Sequence, residues 1–350
     1  MLAPQTKRPL IRLAVMAAAA FMTAGCADEA ILGWLASGYE SSTFDVQSTD
    51  MGPAIMSLYS TFFWLALIVF LAVEGLLIYA AVRFRRKKTD TERPEQVHGN
   101  TRVELAWTIA PAIIILLITI PTVQTIFELA SPPDSEDQVQ VRVVGKQWWW
   151  IFEYPELGIV TANELHLPAG RTAVFNIESD DVIHSFWFPQ MGGKRDATPG
   201  HTNFMYFTPK QSGRFWGACT EFCGTQHANM RKELVVHSND DFEAWVEQQR
   251  TIPEAATAEE FGEARDAFMM NCAACHRVAG VAEFGRLGPD LTHFASRRMF
   301  ASGMFERTDE LLADWLRDPQ AMKEGNLMEM PMELDEETIQ QLVAFLQNLK

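Results

Sequence analysis

Two long apolar runs lie in the first third of the chain. Residues 58–82 and residues 105–127 are each long enough to cross a bilayer as a helix. The basic segment 83–88 follows the first run directly, and basic residues beside a span mark the cytoplasmic side. The pattern therefore predicts a two-helix transmembrane hairpin, with everything after about residue 130 outside the cytoplasm.

The pattern changes after the polar linker 131–137 to short runs typical of strands. Apolar and polar residues alternate with period two in residues 139–143. Proline, glycine and asparagine turns separate four further strand-like runs, at 145–154, 172–178, 181–188 and 203–207. Residues 138–250 are therefore predicted to form an all-β Greek-key sandwich.

The C-terminal part has a helical pattern instead. A polar helix and linker occupy residues 240–258, and the segment 258–270 then places Phe261, Ala264 and Phe268 on one face of a helix. A closing helix is predicted from about Asp335 to Leu349. Residues 258–350 are therefore expected to be a separate all-α domain.

The N-terminus resembles an export signal. Three basic residues precede the apolar stretch 13–22, which is too short to span a bilayer. The signal ends in Thr23-Ala-Gly-Cys26, which is similar to a lipoprotein processing site with Cys26 as the acylated residue. Ordinary cleavage with a free thiol, or an uncleaved anchor, fits the same pattern. Residues 1–26 are assigned to the signal, and residues 27–130 to an N-terminal segment plus the hairpin.

Charge and cysteine content narrow the class of partner. The chain has 350 residues, a net charge of −16 and five cysteines. The acidic balance argues against nucleic acid and favours a basic partner drawn in by long-range attraction. Four of the cysteines fall in two motifs of metal-binding type, and Cys26 is the fifth.

The first motif combines sulfur and imidazole ligands. Twelve residues contain Cys219, Cys223, His227 and Met230, and His184 lies upstream in a strand-like run. This ligand set favours copper. A short disulfide or a Cys2His2 zinc site are the alternatives, although methionine is a poor zinc ligand. Because Gly224 interrupts the run, a loop is favoured over a helix.

This motif resembles the CuA loop of subunit II of the haem–copper cytochrome c oxidases. The resemblance implies a cupredoxin-like sandwich and a dinuclear copper centre, and all six of its ligand positions match this sequence. They are the bridging thiolates Cys219 and Cys223, the imidazoles His184 and His227, the weak ligand Met230 and the carbonyl of Glu221. Quinol-oxidising relatives lack these ligands, so cytochrome c is the expected electron source.

Three further roles are implied by the same resemblance. Trp148 would receive electrons at the surface, with core packing as the alternative. Three consecutive tryptophans cannot all face one side of a strand, so at least one is expected to be exposed. Glu104 would lie at the mouth of a proton path, unless it is only a polar residue at a helix start. The side chain of Glu221 would help to hold magnesium at the interface with subunit I.

The second motif is the haem c attachment signature Cys272-Ala-Ala-Cys275-His276. The two cysteines would bond covalently to the haem and His276 would be an axial ligand; zinc or a disulfide is the alternative. The surroundings resemble a class I cytochrome c domain, whose Gly-Asn-x-Met-Pro pattern points to Met328 as the sixth ligand. Here the proline follows Met330 instead, so Met330 is the alternative.

The whole chain after the signal resembles subunit II of a caa-type cytochrome c oxidase with a fused cytochrome c domain. Electrons would pass from soluble or membrane cytochrome c, or from a quinol–cytochrome c reductase, through haem c and CuA to subunit I. Oxygen reduction and proton pumping would occur there, with subunit III in the complex. The expected location is the bacterial inner membrane, in contact with lipid. Two alternatives are a subunit of a copper-containing nitric oxide reductase and a non-enzymatic membrane-anchored electron shuttle.

Overall fold

The structure is a computed structural model that describes residues 48–87, 95–132, 137–329 and 333–350. The predicted signal with Cys26, and the alternative haem ligand Met330, lie outside the described residues.

Two long apolar helices begin the described part of the chain. Helix α1 covers Gly52–Arg83 and helix α2 covers Thr101–Glu128, and by length and composition both could cross a membrane. The predicted spans lie inside them. Asn100 caps α2 by accepting the backbone N–H groups of Arg102 and Val103. Nearly all side chains of both helices are exposed or half-buried, which suits helices surrounded by lipid.

Ten strands form two five-stranded sheets that pack as a sandwich. One sheet has the order β3-β2-β1-β5-β8 and the other β4-β10-β9-β6-β7. The strands are β1 Gln138–Lys146, β2 Trp149–Tyr154, β3 Ile159–Ala162, β4 Glu164–Pro168, β5 Thr172–Ser179, β6 His184–Trp187, β7 Arg195–Ala197, β8 Asn203–Phe207, β9 Gly213–Cys219 and β10 Arg231–His237. The pairs β1–β5 and β4–β10 are parallel, and the other pairs are antiparallel.

Alternating side chains fill the core of the sandwich. In β2 the residues Trp150, Phe152 and Tyr154 are buried while those between them are half-buried. Phe186 of β6 meets Trp150 and Phe152 from the opposite sheet at ring-centroid distances of 5.6 and 6.2 Å. Helix α3, Asn239–Arg250, then covers β4 by stacking Trp245 on His166 at 4.5 Å. The scaffold that carries the first motif is therefore rigid at its centre.

The C-terminal residues form a second, helical core. Its elements are α4 Gly262–Asn271, the two-residue strands β11 Met299–Phe300 and β12 Phe305–Glu306, α5 Asp309–Arg317, α6 Pro319–Met322 and α7 Glu336–Leu346. Phe268 of α4 contacts Phe345 of α7 at 6.0 Å. Asp335 caps α7 by accepting the N–H of Thr338 at 2.8 Å. The predicted class is confirmed: an apolar helix pair, an all-β sandwich and an all-α domain.

Candidate metal centres

The first motif forms a loop between two neighbouring strands. Strand β9 ends at Cys219 and β10 begins at Arg231, and the N–H of Cys219 donates to the carbonyl of Met230 at 3.0 Å. Gly224 lies in this loop with φ of +113°, and a Cβ there would approach the Trp148 ring to 3.0 Å. Glycine is needed at this position for both reasons. The predicted loop is therefore present.

Five sulfur and nitrogen donors converge in this loop. Sγ of Cys219 lies 3.8 Å from Sγ of Cys223 and 3.9 Å from Nδ1 of His184. Sγ of Cys223 lies 3.5 Å from Nδ1 of His227 and 3.8 Å from Sδ of Met230. The carbonyl oxygen of Glu221, 3.3 Å from Sγ of Cys219, is a sixth donor. The structure brings together the six residues that the resemblance named as copper ligands, and their binding of copper stays a prediction.

His184 is held in place by a carboxylate that the sequence reasoning did not single out. Its side chain is fully buried, and its Nε2 contacts Oδ1 of Asp181 at 2.7 Å. A Cβ at Gly145 would approach the His184 ring to 2.8 Å, so the strand β1 backbone fixes the other side. With Nε2–H bonded to Asp181, Nδ1 is left to bind a metal. The sequence signal that could have identified this carboxylate is the position of Asp181, three residues before His184.

The electrostatics of Cys219 and Cys223 favour their binding a metal as a pair of thiolates. The hydrogen bond with Cys223 lowers the pKa of Cys219 well below that of a free thiol, against the opposing effect of burial. The same contact, together with burial, raises the pKa of Cys223. The first proton therefore leaves Cys219 readily, and the second leaves when a cation compensates the second thiolate. Metal binding supplies that compensation.

The donor set distinguishes copper from the two alternatives. A disulfide requires sulfur atoms about 2.05 Å apart, and these lie 3.8 Å apart as free cysteines. A structural zinc site takes four ligands, whereas six donors meet here, two of them being a thioether and a backbone carbonyl. Two thiolates able to bridge, with an imidazole on each side, fit a pair of copper ions.

Trp148 was expected at the surface, but the structure buries it. Trp148 is buried at 8% exposure, Trp150 at 0%, and Trp149 is half-buried. Nε1 of Trp148 donates to the carbonyl of Cys223 at 2.9 Å, and its own carbonyl accepts from Oγ of Ser302 at 2.5 Å. The expected surface position of Trp148 is thus corrected, because the C-terminal domain covers this edge. Its role in electron transfer stays a prediction.

The surroundings of Glu221 and Glu104 do not test the roles that the resemblance implied for them. Glu221 is an exposed residue within the loop between β9 and β10. Oε1 of Glu104 accepts the N–H of Asn100 at 3.0 Å, so it contributes to the start of helix α2. This contact fits the alternative of a helix-start residue. Magnesium binding by Glu221 and a proton path at Glu104 stay predictions.

The sequence analysis did not single out Lys232, a buried lysine next to the loop of residues 219–230. Nζ of Lys232 donates to the carbonyl of Ala218 at 2.8 Å and lies 4.3 Å from the centre of the Trp150 ring. Burial lowers the pKa of Lys232 to about 7. In β10 it occupies a position that a binary pattern would assign to an apolar residue. It places a basic group next to the strand that ends in Cys219.

The haem motif follows helix α4 directly. Nδ1 of His276 donates to the carbonyl of Pro289 at 2.8 Å, which leaves Nε2 for a metal. A Cβ at Gly288 would approach Cε1 of His276 to 2.5 Å, so the chain passes close to the ring. Burial lowers the pKa of His276 and keeps the neutral, ligating form. Cys272 is half-buried and Cys275 exposed, and both are free thiols able to form bonds to a haem.

Exposed apolar side chains surround the haem motif. Large hydrophobic side chains next to the motif and to Met328 are strongly exposed, namely Met270, Phe284, Leu287 and Leu327. Exposed apolar residues in such number indicate a surface that a ligand covers. Met328 itself is half-buried, and its N–H donates to Oδ1 of Asn326 at 2.7 Å. Its assignment as the sixth ligand stays a prediction.

Comparisons with known proteins cover all three parts of the chain. The family model for the transmembrane domain of cytochrome C oxidase subunit II matches residues 39–125, and that for its periplasmic domain matches residues 158–238. The cytochrome c model matches residues 262–350.

Individual relatives agree with these matches. Cytochrome c oxidase subunit 2 of Alkalihalophilus pseudofirmus is 37% identical over 293 residues, which cover 81% of this chain and 85% of that protein. The Bacillus subtilis protein of the same name is 35% identical over 295 residues, covering 79% and 82%. A crystal structure of the periplasmic domain of cytochrome oxidase subunit II from Bradyrhizobium japonicum is 30% identical, covers 34% of this chain and 96% of that one, and has a TM-score of 0.32.

Apolar helices, a copper-type sandwich and a haem-type domain together define a membrane-anchored redox subunit with its metal domains outside the membrane. More particularly, the chain belongs to the cytochrome c oxidase subunit II family, in the caa3-type form with a fused C-terminal cytochrome c domain. It is therefore part of a haem–copper terminal oxidase, with CuA copper and haem as its implied cofactors.

Proposed function

We propose that this subunit takes single electrons from cytochrome c and relays them through a covalent haem c and CuA to subunit I. The observation that carries this proposal is the convergence of six donors around Cys219 and Cys223, in a domain that directly contacts the haem domain. Reduction of oxygen to water and proton pumping take place in subunit I. Subunit III completes the complex.

The residues of the chain provide sites whose geometry does not need to change with redox state. When bound, the paired coppers and the haem supply one-electron redox chemistry. Strands β6 and β9 carry His184 and Cys219, β9 and β10 flank the loop with the other ligands, and Asp181 fixes the tautomer of His184. The carbonyl of Pro289 likewise fixes the tautomer of His276. Ligands preset on a rigid scaffold keep the reorganisation cost of each electron step small.

The membrane arrangement follows from charge. Helix α1 ends at Arg83, and Arg85, Arg86 and Lys87 follow it, which supports a cytoplasmic position for the connection between the helices. The hairpin then spans the bacterial inner membrane twice, and both metal domains face the periplasm. The electron donor is soluble or membrane cytochrome c, or a quinol–cytochrome c reductase.

A test is to purify the membrane complex from the native host and supply reduced cytochrome c. Oxygen uptake that stops in Cys219→Ser supports the proposal. Consumption of nitric oxide in place of oxygen would indicate the reductase alternative, and electron acceptance with neither gas consumed would indicate a shuttle. Acidification outside vesicles during oxygen uptake tests the pumping part separately.

A further inference from the structure

We infer that Gln226 and Lys323 are positioning residues that hold the haem-ligand segment 323–328 against the copper loop, residues 219–230, and so set the rate of electron transfer between the two centres. This inference rests on the proposed function. It goes further because it names the contact between the domains on which the transfer depends.

Side chains from both domains make the contact. Nε2 of Gln226, in the copper loop, donates to the carbonyl of Glu324 at 2.5 Å. In return, Nζ of Lys323 in the helical domain donates to the carbonyl of Asn229 at 3.3 Å. The same ammonium donates to Ala301 of its own domain at 3.3 Å. Each domain thus supplies one long side chain that ends on the backbone of the other.

These contacts lie next to metal ligands on both sides. Gln226 precedes His227 and Asn229 precedes Met230 in the copper loop. A Cβ at Gly325 would lie 3.4 Å from Cγ2 of Thr225, so the two backbones approach closely between the side-chain contacts. The copper loop is therefore in direct contact with residues 323–325.

Hydrogen bonds continue the connection to Met328. Nε2 of Gln320 donates to the carbonyls of Asn326 and Met328 at 2.8 and 3.1 Å. Oδ1 of Asn326 accepts the N–H of Met328 at 2.7 Å. Residues 323–328 are consequently one bonded segment, with copper-loop contacts at its start and the predicted haem ligand at its end.

Burial argues that the contact is built rather than incidental. Lys323 is 5% exposed and Gln226 is 7% exposed. A buried ammonium is costly unless its donors are satisfied, and here it is held by carbonyls of both domains. Removing either side chain leaves the backbone carbonyls of this part-buried contact without that partner. The segment would then separate from the copper loop, and electron tunnelling falls steeply with the width of such a gap.

A second contact between the domains offers a matched control. Arg298 donates from its side chain to Glu233 at 3.2 Å and from its N–H to Glu164 at 3.0 Å. Neither acid is a metal ligand. Arg298→Gln therefore weakens the interface between the domains while leaving both ligand loops in contact.

The experiment compares Gln226→Leu, Lys323→Met, the double variant and Arg298→Gln in the purified oxidase. Haem c is reduced rapidly by a photochemical donor, and its reoxidation by copper is followed optically. We expect each single variant to be about tenfold slower, since a displacement of ~1 Å can cost as much as ~10²-fold. Reduction potentials and absorption bands should stay at wild-type values, and Arg298→Gln should match wild type. An unchanged rate in the double variant, or equal slowing in Arg298→Gln, would overturn the inference.

A structural readout completes the test. Hydrogen exchange of the purified oxidase should accelerate in residues 222–230 and 319–329 of the double variant but not of Arg298→Gln. Unchanged exchange there would also overturn the inference. If the proposed function itself were wrong, wild-type protein would show no haem-to-copper transfer at all, which separates the two failures.

Discussion

Oδ1 of Asp181 lies 2.7 Å from Nε2 of His184, on the side of the ring opposite to Cys219. The carboxylate also accepts the N–H groups of Gln147 and Val182 at 2.7 and 2.6 Å. Burial opposes ionisation, but these hydrogen bonds lower the pKa of Asp181 overall. A fixed anion therefore orients the imidazole of His184, the predicted copper ligand.

Replacing this carboxylate should weaken copper binding. Asp181→Asn is expected to reduce copper affinity by about 10–100-fold, the usual effect of losing a residue that orients a metal-bound histidine. Copper titration of the metal-free chain, followed by near-infrared absorption, measures the change. The control is Asp180→Asn, because Asp180 is exposed and its contact is with Lys146 at 4.0 Å. Equal losses in both variants would contradict an orienting role.

The approach of Gly288 to His276 should be intolerant of a methyl group. A Cβ at Gly288 would lie 2.5 Å from Cε1 and 2.8 Å from Nδ1 of His276, so the ring must shift away from Pro289. Gly288→Ala is expected to lower stability by about 1–3 kcal/mol and to weaken axial ligation while the haem stays attached. Urea unfolding and the low-spin absorption bands test this.

The control for this change is in the same domain. A Cβ at Gly262 meets nothing within 4 Å, so Gly262→Ala should leave both stability and spectrum close to wild type. A wild-type spectrum in Gly288→Ala would show that the close approach does not fix the histidine.

Stability should fall in mild acid because of His237. Burial, and then the charge of His166, lower the pKa of His237 to about 4; Arg214 acts in the same direction and Asp241 in the opposite one. Between pH 6.5 and about 4 the unfolded chain binds a proton at this position and the folded chain does not. Stability is therefore complete above this window and is lost as pH falls through it, by about 1 kcal/mol after solvent screening.

Urea unfolding between pH 7 and 4 measures this slope. His237→Gln should flatten it, whereas His201→Gln, at an exposed position, should not. A slope that is the same in both variants and in wild type would exclude His237 as the source.

Electron donation by soluble cytochrome c should depend on salt. The chain carries a net charge of −16, and a basic donor is attracted at long range. Raising ionic strength from ~0.01 M to ~1 M shortens the screening length from about 30 Å to about 3 Å, so oxygen uptake should fall. A small uncharged reductant should show no such change. Turnover with cytochrome c that is independent of salt would rule out electrostatic steering.

The sequence predicted those parts of the fold that depend on local pattern. Asn203–Phe207 was predicted with its observed bounds, and the strand predicted at 172–178 is Thr172–Ser179. Glu164–Pro168 was missed although polar and apolar residues alternate from Glu164 to Leu167, because the run is short and its polar side chains Glu164 and His166 are buried in the fold. Arg231–His237 was missed because it buries Lys232 and Glu233, whose charges hide a core strand.

The six residues that converge at the predicted copper site could be named from the sequence because five of them lie in the short segment 219–230. The burial of Trp148 was not, since it depends on Ser302, more than 150 residues later in the chain. The contact between Gln226 and Glu324 is of the same kind. Contacts between domains arise from tertiary packing, which no local pattern in one sequence records.

The most direct test of the central claim is the metal content of the chain matured in its native host. The account predicts two copper atoms and one haem iron per chain, no zinc, and loss of both coppers in Cys219→Ser with the haem retained. A single metal ion, zinc, or a Cys219–Cys223 disulfide in the matured chain would contradict it.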